Sequence, residues 1–503
     1  MKAFLQSPHA AIAAALAAGA LTVAGFAPLA VFPLPLLTLA GLLLLWRRAA
    51  TPQAAFRTGF AFGAGLFGVG VSWVYVSLHD FGMMPAPLAA IGTLAYCAIL
   101  ALYPAAAGWC LARLQLGRLA SAVLAFPALW TLFEWLRGWI FTGVSWLALG
   151  YSQVDSPLAG FAPVAGTYGV SFVTTLCAGL LVVVTAGSLK ARLAGGLALV
   201  CAFGLGQLLK QTDWTFPQGV PLKVALLQGN IPQDLKFQPE RYASTLATYK
   251  RLIEASQGQL IVLPETAIPR FLDAVDPRYL KDIARIAAER RADVLIGVPI
   301  RDLDGRYFNS VISVGVSPSQ RYDKSHLVPF GEFVPPGFGW IVKTFAIPLS
   351  DFSLGSENPK PLALAGQLVA PNICWEDAFG EEIIRQLPQA TLLVNVSNVA
   401  WFGDSLAPAQ HLQISRMRAI ETGRAMLRAT NTGMTAIIDP HGRVVAKLPQ
   451  FTEGILTGEV RGYVGASPYV KLGNTPIVLM CVVLLGALVF IRRRSLGRVG
   501  ESR

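Results

Sequence analysis

Charged residues are scarce in this chain of 503 residues. They make up 14% of the sequence and hydrophobic residues 54%, whereas a soluble globular protein carries about 25% charged residues. This deficit argues against an ordinary soluble protein and indicates several membrane spans. Cysteine is also scarce, with six residues and no pair at metal-ligand spacing. We therefore expect no zinc site.

Long apolar runs alternate with short polar segments. At about 20 apolar residues per crossing, we predict eight spans, near residues 9–26, 28–46, 58–78, 86–112, 119–136, 162–187, 193–209 and 472–492. From Asp213 to Pro468, charges become frequent and apolar runs shorten to strand length. The sequence predicts an N-terminal membrane domain of seven spans (1–212), an α/β domain (213–468) and a last span with a basic tail (469–503).

Lysine and arginine occur mainly at alternate ends of these spans. One set of ends carries Lys2, Arg47, Arg48, Arg57, Arg113, Arg118, Lys190, Arg192 and Arg492, Arg493 and Arg494, and the other set little beyond Arg137 and Lys210. By the positive-inside rule, both termini are cytoplasmic and 213–468 lies on the opposite side. We favour an uncleaved first span over a signal peptide, because its removal breaks this alternation. The net charge of +12 then reflects topology, and we expect no nucleic-acid partner.

Strands and helices alternate within 213–468. The runs "DVLIGVPI" (293–300) and "YFNSVISVG" (307–315) are typical of strands, and residues 239–256 and 277–292 have helical spacing. Such alternation indicates a sheet covered by helices, in which reactive groups gather where strands end.

Three reactive residues follow predicted strands. Glu265 follows "LIVLP", where desolvation would raise its pKa, as a general base requires, although it could instead cap a helix. Lys324 lies in "RYDKSHLVPFGEFVPP" and could stabilise an oxyanion and lower the pKa of a thiol, or be a surface charge. Cys374, the single cysteine of 213–468, ends the strand in "VAPNICWEDA" and is either a nucleophile or a small buried hydrophobe.

Together, "LPE", "YDKSHLVPFGE" and "ICWED" resemble the Glu-Lys-Cys triad of the nitrilase (carbon-nitrogen hydrolase) superfamily. With eight spans around the α/β domain, the whole chain resembles the apolipoprotein N-acyltransferase family, notably in "LLQGNIPQDLKF" (226–237) and "NICWEDAFG" (372–380). The resemblance implies a multi-pass protein of the bacterial inner membrane with a periplasmic, nitrilase-like α-β-β-α sandwich.

The resemblance also implies roles for individual residues. Cys374 would attack a phospholipid ester, with phosphatidylethanolamine as the expected donor, and Glu265 would take its proton. Lys324 and the backbone N–H of Trp375 would hold the oxyanion, Glu332 would orient Lys324, and Glu376 is a further acid near the nucleophile. The acyl acceptor would be a diacylglyceryl-modified apolipoprotein, and no ATP, metal or other cofactor would be needed.

Apolar side chains indicate how lipid reaches the site. Phe237 stands where some relatives carry tryptophan, so we expect packing there without an indole hydrogen bond. An aromatic-rich loop with Trp340 and Phe345 is expected to enter the membrane, or to cover a small satellite core, and Trp401 and Phe402 would form another wall of the entrance.

Three other functions stay open from the residues alone. A membrane-tethered amidase would use the same triad and pass the acyl group to water. A transporter or sensor with an inactive α/β domain is opposed by the intact triad. A cysteine–histidine hydrolase would need His326 or His411, neither of which has a convincing orienting partner in the sequence.

Overall fold

The computed structural model describes residues 7–334 and 351–500, with side chains described to residue 494. These residues form two compact units. The helical unit contains most residues before Asp213 and those after Val470, and the sandwich unit contains Asp213–Val470 together with the short segment Val76–Pro85. That segment falls within the membrane domain predicted from the sequence.

The helical unit contains one helix at each predicted span. The helices are α1 (Pro8–Thr22), α2 (Pro33–Arg48), α3 (Pro52–Gly70), α4 (Ala86–Leu114), α5 (Arg118–Arg137), α6 (Ala162–Ala186), α7 (Leu189–Lys210) and, after the sandwich unit, α13 (Thr475–Gly500). Within the described residues, six helices are long and apolar enough to cross a membrane, and α3 makes a seventh if joined to the bent segment Trp73–Phe81. Helix α2, with 16 residues, is shorter than a full span. The chain is a multi-pass membrane protein, as predicted.

Small residues bring α1 and α3 into close contact. A Cβ atom at Gly19 would overlap the carbonyl oxygen of Phe62, and one at Gly65 would overlap that of Leu16. Lipid tails are as apolar as the side chains, so membrane helices associate through close packing rather than through exclusion of water. The two glycines therefore set the spacing of this helix pair.

Within 213–334 and 351–470, the part of the sandwich unit that the structure describes apart from Val76–Pro85, the strands form two six-stranded sheets. In the order of hydrogen bonding, the first sheet is β12 (Gly454–Gly465), β1 (Thr215–Gln228), β2 (Leu260–Val262), β3 (Asp293–Arg301), β4 (Tyr307–Gly315) and β5 (Arg321–Asp323). The second sheet is β11 (Val444–Lys447), β10 (Ala436–Ile438), β9 (Met426–Thr430), β8 (Leu392–Ser397), β7 (Gln367–Ile373) and β6 (Leu362–Leu364).

Helices cover both outer faces of the sandwich. Helices α8 (Pro239–Ala255) and α9 (Pro277–Glu289) pack on the first sheet, and α11 (Ala407–Thr422) packs on the second; α10 (Gly380–Ile383) and α12 (Pro468–Leu472) are short. The two sheets bury a shared core that includes Leu226, Val262, Leu295, Val394 and Leu427. The predicted α-β-β-α arrangement is confirmed.

Parallel strands lie at the centre of each sheet. Strands β1, β2 and β3 run parallel in one sheet, and β7, β8 and β9 do so in the other. The carboxyl ends of parallel strands meet at one edge of a sheet, where loops are free to carry polar groups. Glu265 follows β2, Cys374 follows β7, and Lys324 follows the antiparallel strand β5.

Candidate active site

The structure brings Glu265, Lys324 and Cys374 together. The Lys324 ammonium lies 3.6 Å from Glu265 Oε1. The charges of both residues act on the Cys374 thiol, Glu265 raising its pKa and Lys324 lowering it. A carboxylate, an ammonium group and a thiol that are far apart in the sequence therefore share one site.

Two amides fix the Glu265 carboxylate. Oε1 accepts a hydrogen bond from Asn309 Nδ2 and Oε2 accepts one from the backbone N–H of Asn398, each at 2.8 Å. The expectation that burial leaves the pKa of Glu265 raised is wrong: burial acts in that direction, but the Lys324 charge and the two amides together hold the pKa below its usual value. The carboxylate is ionised at neutral pH and can accept a proton.

Lys324 is a permanently charged group at the centre of the site. Its side chain is 1% exposed, and Nζ donates to Glu332 Oε1 at 2.8 Å. Glu332 is itself fixed, because the backbone N–H of Val328 donates to its Oε2 at 2.8 Å. Burial acts to lower the pKa of Lys324, but the carboxylates of Glu332 and Glu265 outweigh it and raise the pKa above its ordinary value.

Asn309 joins the two carboxylates and was not identified from the sequence. Its Nδ2 donates to both Glu265 Oε1 and Glu332 Oε1 at 2.8 Å. Its backbone carbonyl accepts a hydrogen bond from the backbone N–H of Lys324 at 2.8 Å. An amide group that donates to two carboxylates holds both in the charged form. The available signal was an asparagine in the middle of the apolar strand "YFNSVISVG".

Cys374 occupies a strained turn directly after β7. Its φ of 57° lies in the left-handed region, which costs a residue with a side chain about 1–3 kcal/mol. The turn is held because the Cys374 carbonyl accepts a hydrogen bond from Asn395 Nδ2 at 2.9 Å. Burial and the Glu265 charge raise the thiol pKa well above its usual value, and the opposing effect of Lys324 is too small to reverse this. The resting thiol is therefore protonated.

Glu376 ties the Cys374 turn to the segment after Lys324. Its fully buried carboxylate accepts five hydrogen bonds, from the backbone N–H groups of Ser325, His326 and Ile373 and from the hydroxyls of Ser325 and Tyr322. Because these donors come both from β7 and from the segment around Lys324, Glu376 fixes the position of the Cys374 turn relative to Lys324.

Neither histidine is arranged as a base for the thiol. The ring of His326 stacks on the ring of Phe379 with centroids 3.6 Å apart. The backbone carbonyl of His326 accepts a hydrogen bond from Trp375 Nε1 at 3.1 Å. His411 Nε2 lies 2.8 Å from Asp377 Oδ1 and 3.2 Å from the backbone oxygen of Cys374. His326 Nδ1 lies 2.8 Å from Glu382 Oε1, so both histidines have a carboxylate partner, contrary to the expectation from the sequence. None of these contacts involves the Cys374 sulfur, and they do not support the cysteine–histidine alternative.

Aromatic residues predicted to contact lipid lie on the surface of the sandwich unit. The exposed fraction is 44% for Phe237 and 38% for Trp401, and Phe402 is half-buried. The Trp401 ring packs edge-on against Phe81 at 6.3 Å. Trp340 and Phe345 lie outside the described residues.

Among the described residues, no three His, Cys, Asp or Glu side chains are grouped so that they could hold a metal ion. The carboxylates of Glu265 and Glu332 are instead stabilised by the Lys324 ammonium and by the Asn309 amide.

Gly297 on β3 allows the Glu265 loop to pass close to the sheet. A Cβ atom there would overlap the carbonyl oxygen of Pro264 and lie 2.7 Å from Thr266 N and 2.8 Å from Glu265 Cα. We expect Gly297→Ala to displace Glu265 and to lower the catalytic rate about 100-fold, the loss that a displacement of about 1 Å can cause in an active site. The matched control is Gly454→Ala, whose Cβ would meet its nearest neighbour at 3.5 Å. Equal activity of the two variants in a steady-state assay would contradict this role.

Both parts of the chain match known families. Residues 18–180 match the apolipoprotein N-acyltransferase N-terminal domain, and residues 223–469 match carbon-nitrogen hydrolase. The chain is 53% identical over 480 residues to the apolipoprotein N-acyltransferase of Nitrosomonas europaea. The aligned region covers 94% of this chain and 95% of the relative. It is 46% identical to that of Chromobacterium violaceum, covering 96% and 94%, and 46% identical to that of Ralstonia nicotianae, covering 95% and 92%. With a multi-pass helical unit and an α-β-β-α sandwich in one chain, these matches show that the chain belongs to the apolipoprotein N-acyltransferase family.

Proposed function

We propose that this enzyme transfers the sn-1 acyl chain of a phospholipid to the α-amine of the N-terminal diacylglyceryl-cysteine of apolipoproteins. This is the last step of bacterial lipoprotein maturation. Family membership supports the reaction class. The observation that carries the mechanism is the arrangement of an ionised Glu265, a charged Lys324 at 3.6 Å from it and a protonated Cys374 thiol.

In the first half-reaction, the proton of Cys374 Sγ moves to the Glu265 carboxylate while Sγ attacks the carbonyl carbon of the ester. The negative charge that develops on the carbonyl oxygen is stabilised by Lys324 and by the backbone N–H of Trp375. The ester C–O bond then breaks, Glu265 returns the proton to the leaving oxygen, and a lysophospholipid departs. Cys374 carries the acyl chain as a thioester.

In the second half-reaction, the α-amine of the apolipoprotein attacks the thioester. Glu265 takes the proton that the amine loses, the C–S bond breaks, and the proton restores the Cys374 thiol. A thioester is already activated toward amines, so the transfer uses no further energy source. Two sequential transfers through one covalent intermediate give ping-pong kinetics.

We place the enzyme in the bacterial inner membrane, with both termini cytoplasmic and the sandwich unit periplasmic. The alternating arginines and lysines of the predicted spans support this orientation. Phe237, Trp401 and Phe402, together with Trp340 and Phe345, would guide acyl chains from the membrane to Cys374. Exposed aromatic rings suit this task, because they partition to the membrane interface.

The test is intact mass spectrometry of the purified protein after incubation with phosphatidylethanolamine. We expect a mass increase of one fatty-acyl group on the wild type, no increase on Cys374→Ala, and loss of the acyl group when a diacylglyceryl-cysteine peptide with a free α-amine is added. The same peptide with an acetylated amine is the control and should leave the adduct intact. Discharge to water at equal rates with either peptide would indicate a hydrolase and contradict the proposal.

A further inference from the structure

A second lysine is buried beside Glu265. Lys236 lies in a turn between β1 and α8, and its side chain is 1% exposed, although the adjacent Phe237 is 44% exposed. Its ammonium donates a hydrogen bond to the backbone oxygen of Glu265 at 3.2 Å. Burying an ammonium costs free energy unless an opposite charge is close. The position of this side chain therefore needs a compensating charge.

The Glu265 carboxylate provides that charge. Burial lowers the pKa of Lys236 to about 8, and the Glu265 charge opposes this effect. The influence is mutual, because Lys236 is among the groups that lower the pKa of Glu265. Glu265 is therefore influenced by two buried ammonium groups, those of Lys324 and Lys236.

The turn that carries Lys236 is attached to the same elements as Glu265. Gln233 Oε1 accepts a hydrogen bond from Asn398 Nδ2 at 2.7 Å, while the backbone N–H of Asn398 donates to Glu265 Oε2 at 2.8 Å. Asn431 Nδ2 also donates to the carbonyl of Ile231 at 2.7 Å. Lys236 and Glu265 are thus held against one another by shared partners, and the contact is part of the architecture of the site.

We propose that Lys236 is a positioning residue that holds the Glu265 main chain and keeps the Glu265 carboxylate ionised until it accepts the Cys374 proton. The step that it supports is one proton transfer, from Cys374 Sγ to a Glu265 carboxylate oxygen, with no other bond changed. This inference rests on the roles given to Glu265 and Cys374 in the proposed function.

The charges around Glu265 determine the expected effect of losing Lys236. Glu265 faces Lys324 at 3.6 Å, Glu332 through the Asn309 amide, and the Cys374 thiol. Without Lys236, Glu265 loses one of the two ammonium groups that favour its ionised form, and only Lys324 remains. A carboxylate in such a site binds a proton at higher pH. Glu265 would then be available as a base only at higher pH.

The test uses a reaction that needs no substrate, the alkylation of Cys374 by iodoacetamide between pH 3 and pH 9, followed by mass spectrometry of the peptide that contains Cys374. The window extends to pH 3 because the pKa of Glu265 is held below its usual value. We expect Lys236→Met to move the acidic limb of the rate profile upward by about one pH unit, the lower end of the effect of a neighbouring charge. On that limb, alkylation would be about tenfold slower than in the wild type. The matched control is Lys250→Met, which removes a half-exposed lysine paired with Asp282 and should leave the profile unchanged.

Two further substitutions at Lys236 separate charge from packing. Lys236→Gln keeps a hydrogen-bond donor without the charge and should shift the limb as Lys236→Met does; it decides the question if the methionine variant does not fold. Lys236→Arg keeps the charge and should restore the wild-type limb. A limb that stays in place in the folded Gln or Met variant, even with a lower overall rate, would overturn the proposal.

Glu265→Gln distinguishes this proposal from the mechanism on which it rests. If Glu265 accepts the thiol proton, Glu265→Gln removes the acidic limb. An unchanged profile in Glu265→Gln would overturn the base role of Glu265 and with it the role of Lys236. A profile that changes in Glu265→Gln but not in Lys236→Met or Lys236→Gln would overturn the Lys236 proposal alone.

Discussion

Replacing Lys324 by methionine should slow acyl-enzyme formation about 1,000-fold, the upper range for loss of one group that stabilises an oxyanion. Methionine keeps the apolar length of the side chain but leaves the developing negative charge without its ammonium. It also leaves Glu265 and Glu332 joined through Asn309 without the cation at 2.8 Å from Glu332. The pKa of Glu265, which the Lys324 charge lowers, should rise, and less of the base is ionised at neutral pH.

The measurement is the single-turnover rate of thioester formation, followed by intact mass spectrometry at several pH values between 6 and 9. Part of the lost rate should return at high pH, where Glu265 ionises again, and the part due to the missing oxyanion contact should not. Lys250→Met is the control for removing a lysine from the same unit. A Lys324→Met rate within tenfold of the wild type would contradict a catalytic role for this ammonium.

Replacing Glu376 by leucine should lower the free energy of unfolding of the sandwich unit by about 3 kcal/mol. Its carboxylate is the acceptor for three backbone N–H groups, and each donor left without an acceptor costs about 1–3 kcal/mol. For a unit of this size, the melting temperature should fall by about 6–12 °C. The same bonds hold the Cys374 turn against the segment after Lys324. The rate of acyl transfer should therefore fall even at temperatures where the variant stays folded.

Glu376→Gln makes this prediction more specific. The remaining amide oxygen can take the three bonds of Oε1, and the Tyr322 hydroxyl can turn to accept from the new amide group. Only the N–H of Ile373 then loses its acceptor, and we expect a loss of about 1–2 kcal/mol. Glu254→Leu, an exposed acid on α8, should change the stability by less than about 0.5 kcal/mol. Differential scanning fluorimetry in detergent compares the melting temperatures of the three variants. A Glu376→Leu variant as stable as the wild type would contradict the stabilising role of the Glu376 carboxylate.

Many of the strands and helices were predictable because they follow from a local pattern, although others, including β5, β6 and β12, were not predicted. The run "DVLIGVPI" indicated a strand over 293–300, and the strand extends from Asp293 to Arg301. "YFNSVISVG" coincides with β4, and the predicted helix over 239–256 is found at Pro239–Ala255. Periodicity and burial act within a few residues of one another, so the sequence carries them directly.

The electrostatics of the site were not predictable in the same way. Burial of Glu265 at the end of β2 was inferred correctly, but the sign of its pKa shift depends on charges that folding brings close from β5 and from the turn after β1. Asn309 and Lys236 act through contacts between segments that are distant in the sequence. No local pattern contains such contacts, although a polar residue inside an apolar strand and the resemblance around "LLQGNIPQDLKF" pointed to these segments.

The segment Val76–Pro85 gives the sandwich unit a discontinuous sequence. Ser77 donates to the carbonyl oxygen of Trp401 at 2.8 Å, and Phe81 packs against the Trp401 ring. The polypeptide therefore passes between the two units at four junctions, after Tyr75, Pro85, Thr212 and Val470. A gene fragment that encodes only 213–470 would omit a piece of the sandwich unit, so the enzyme is not a soluble hydrolase joined end to end with a membrane anchor. Its two parts alternate along one polypeptide, so neither unit can be cut out as a single continuous segment.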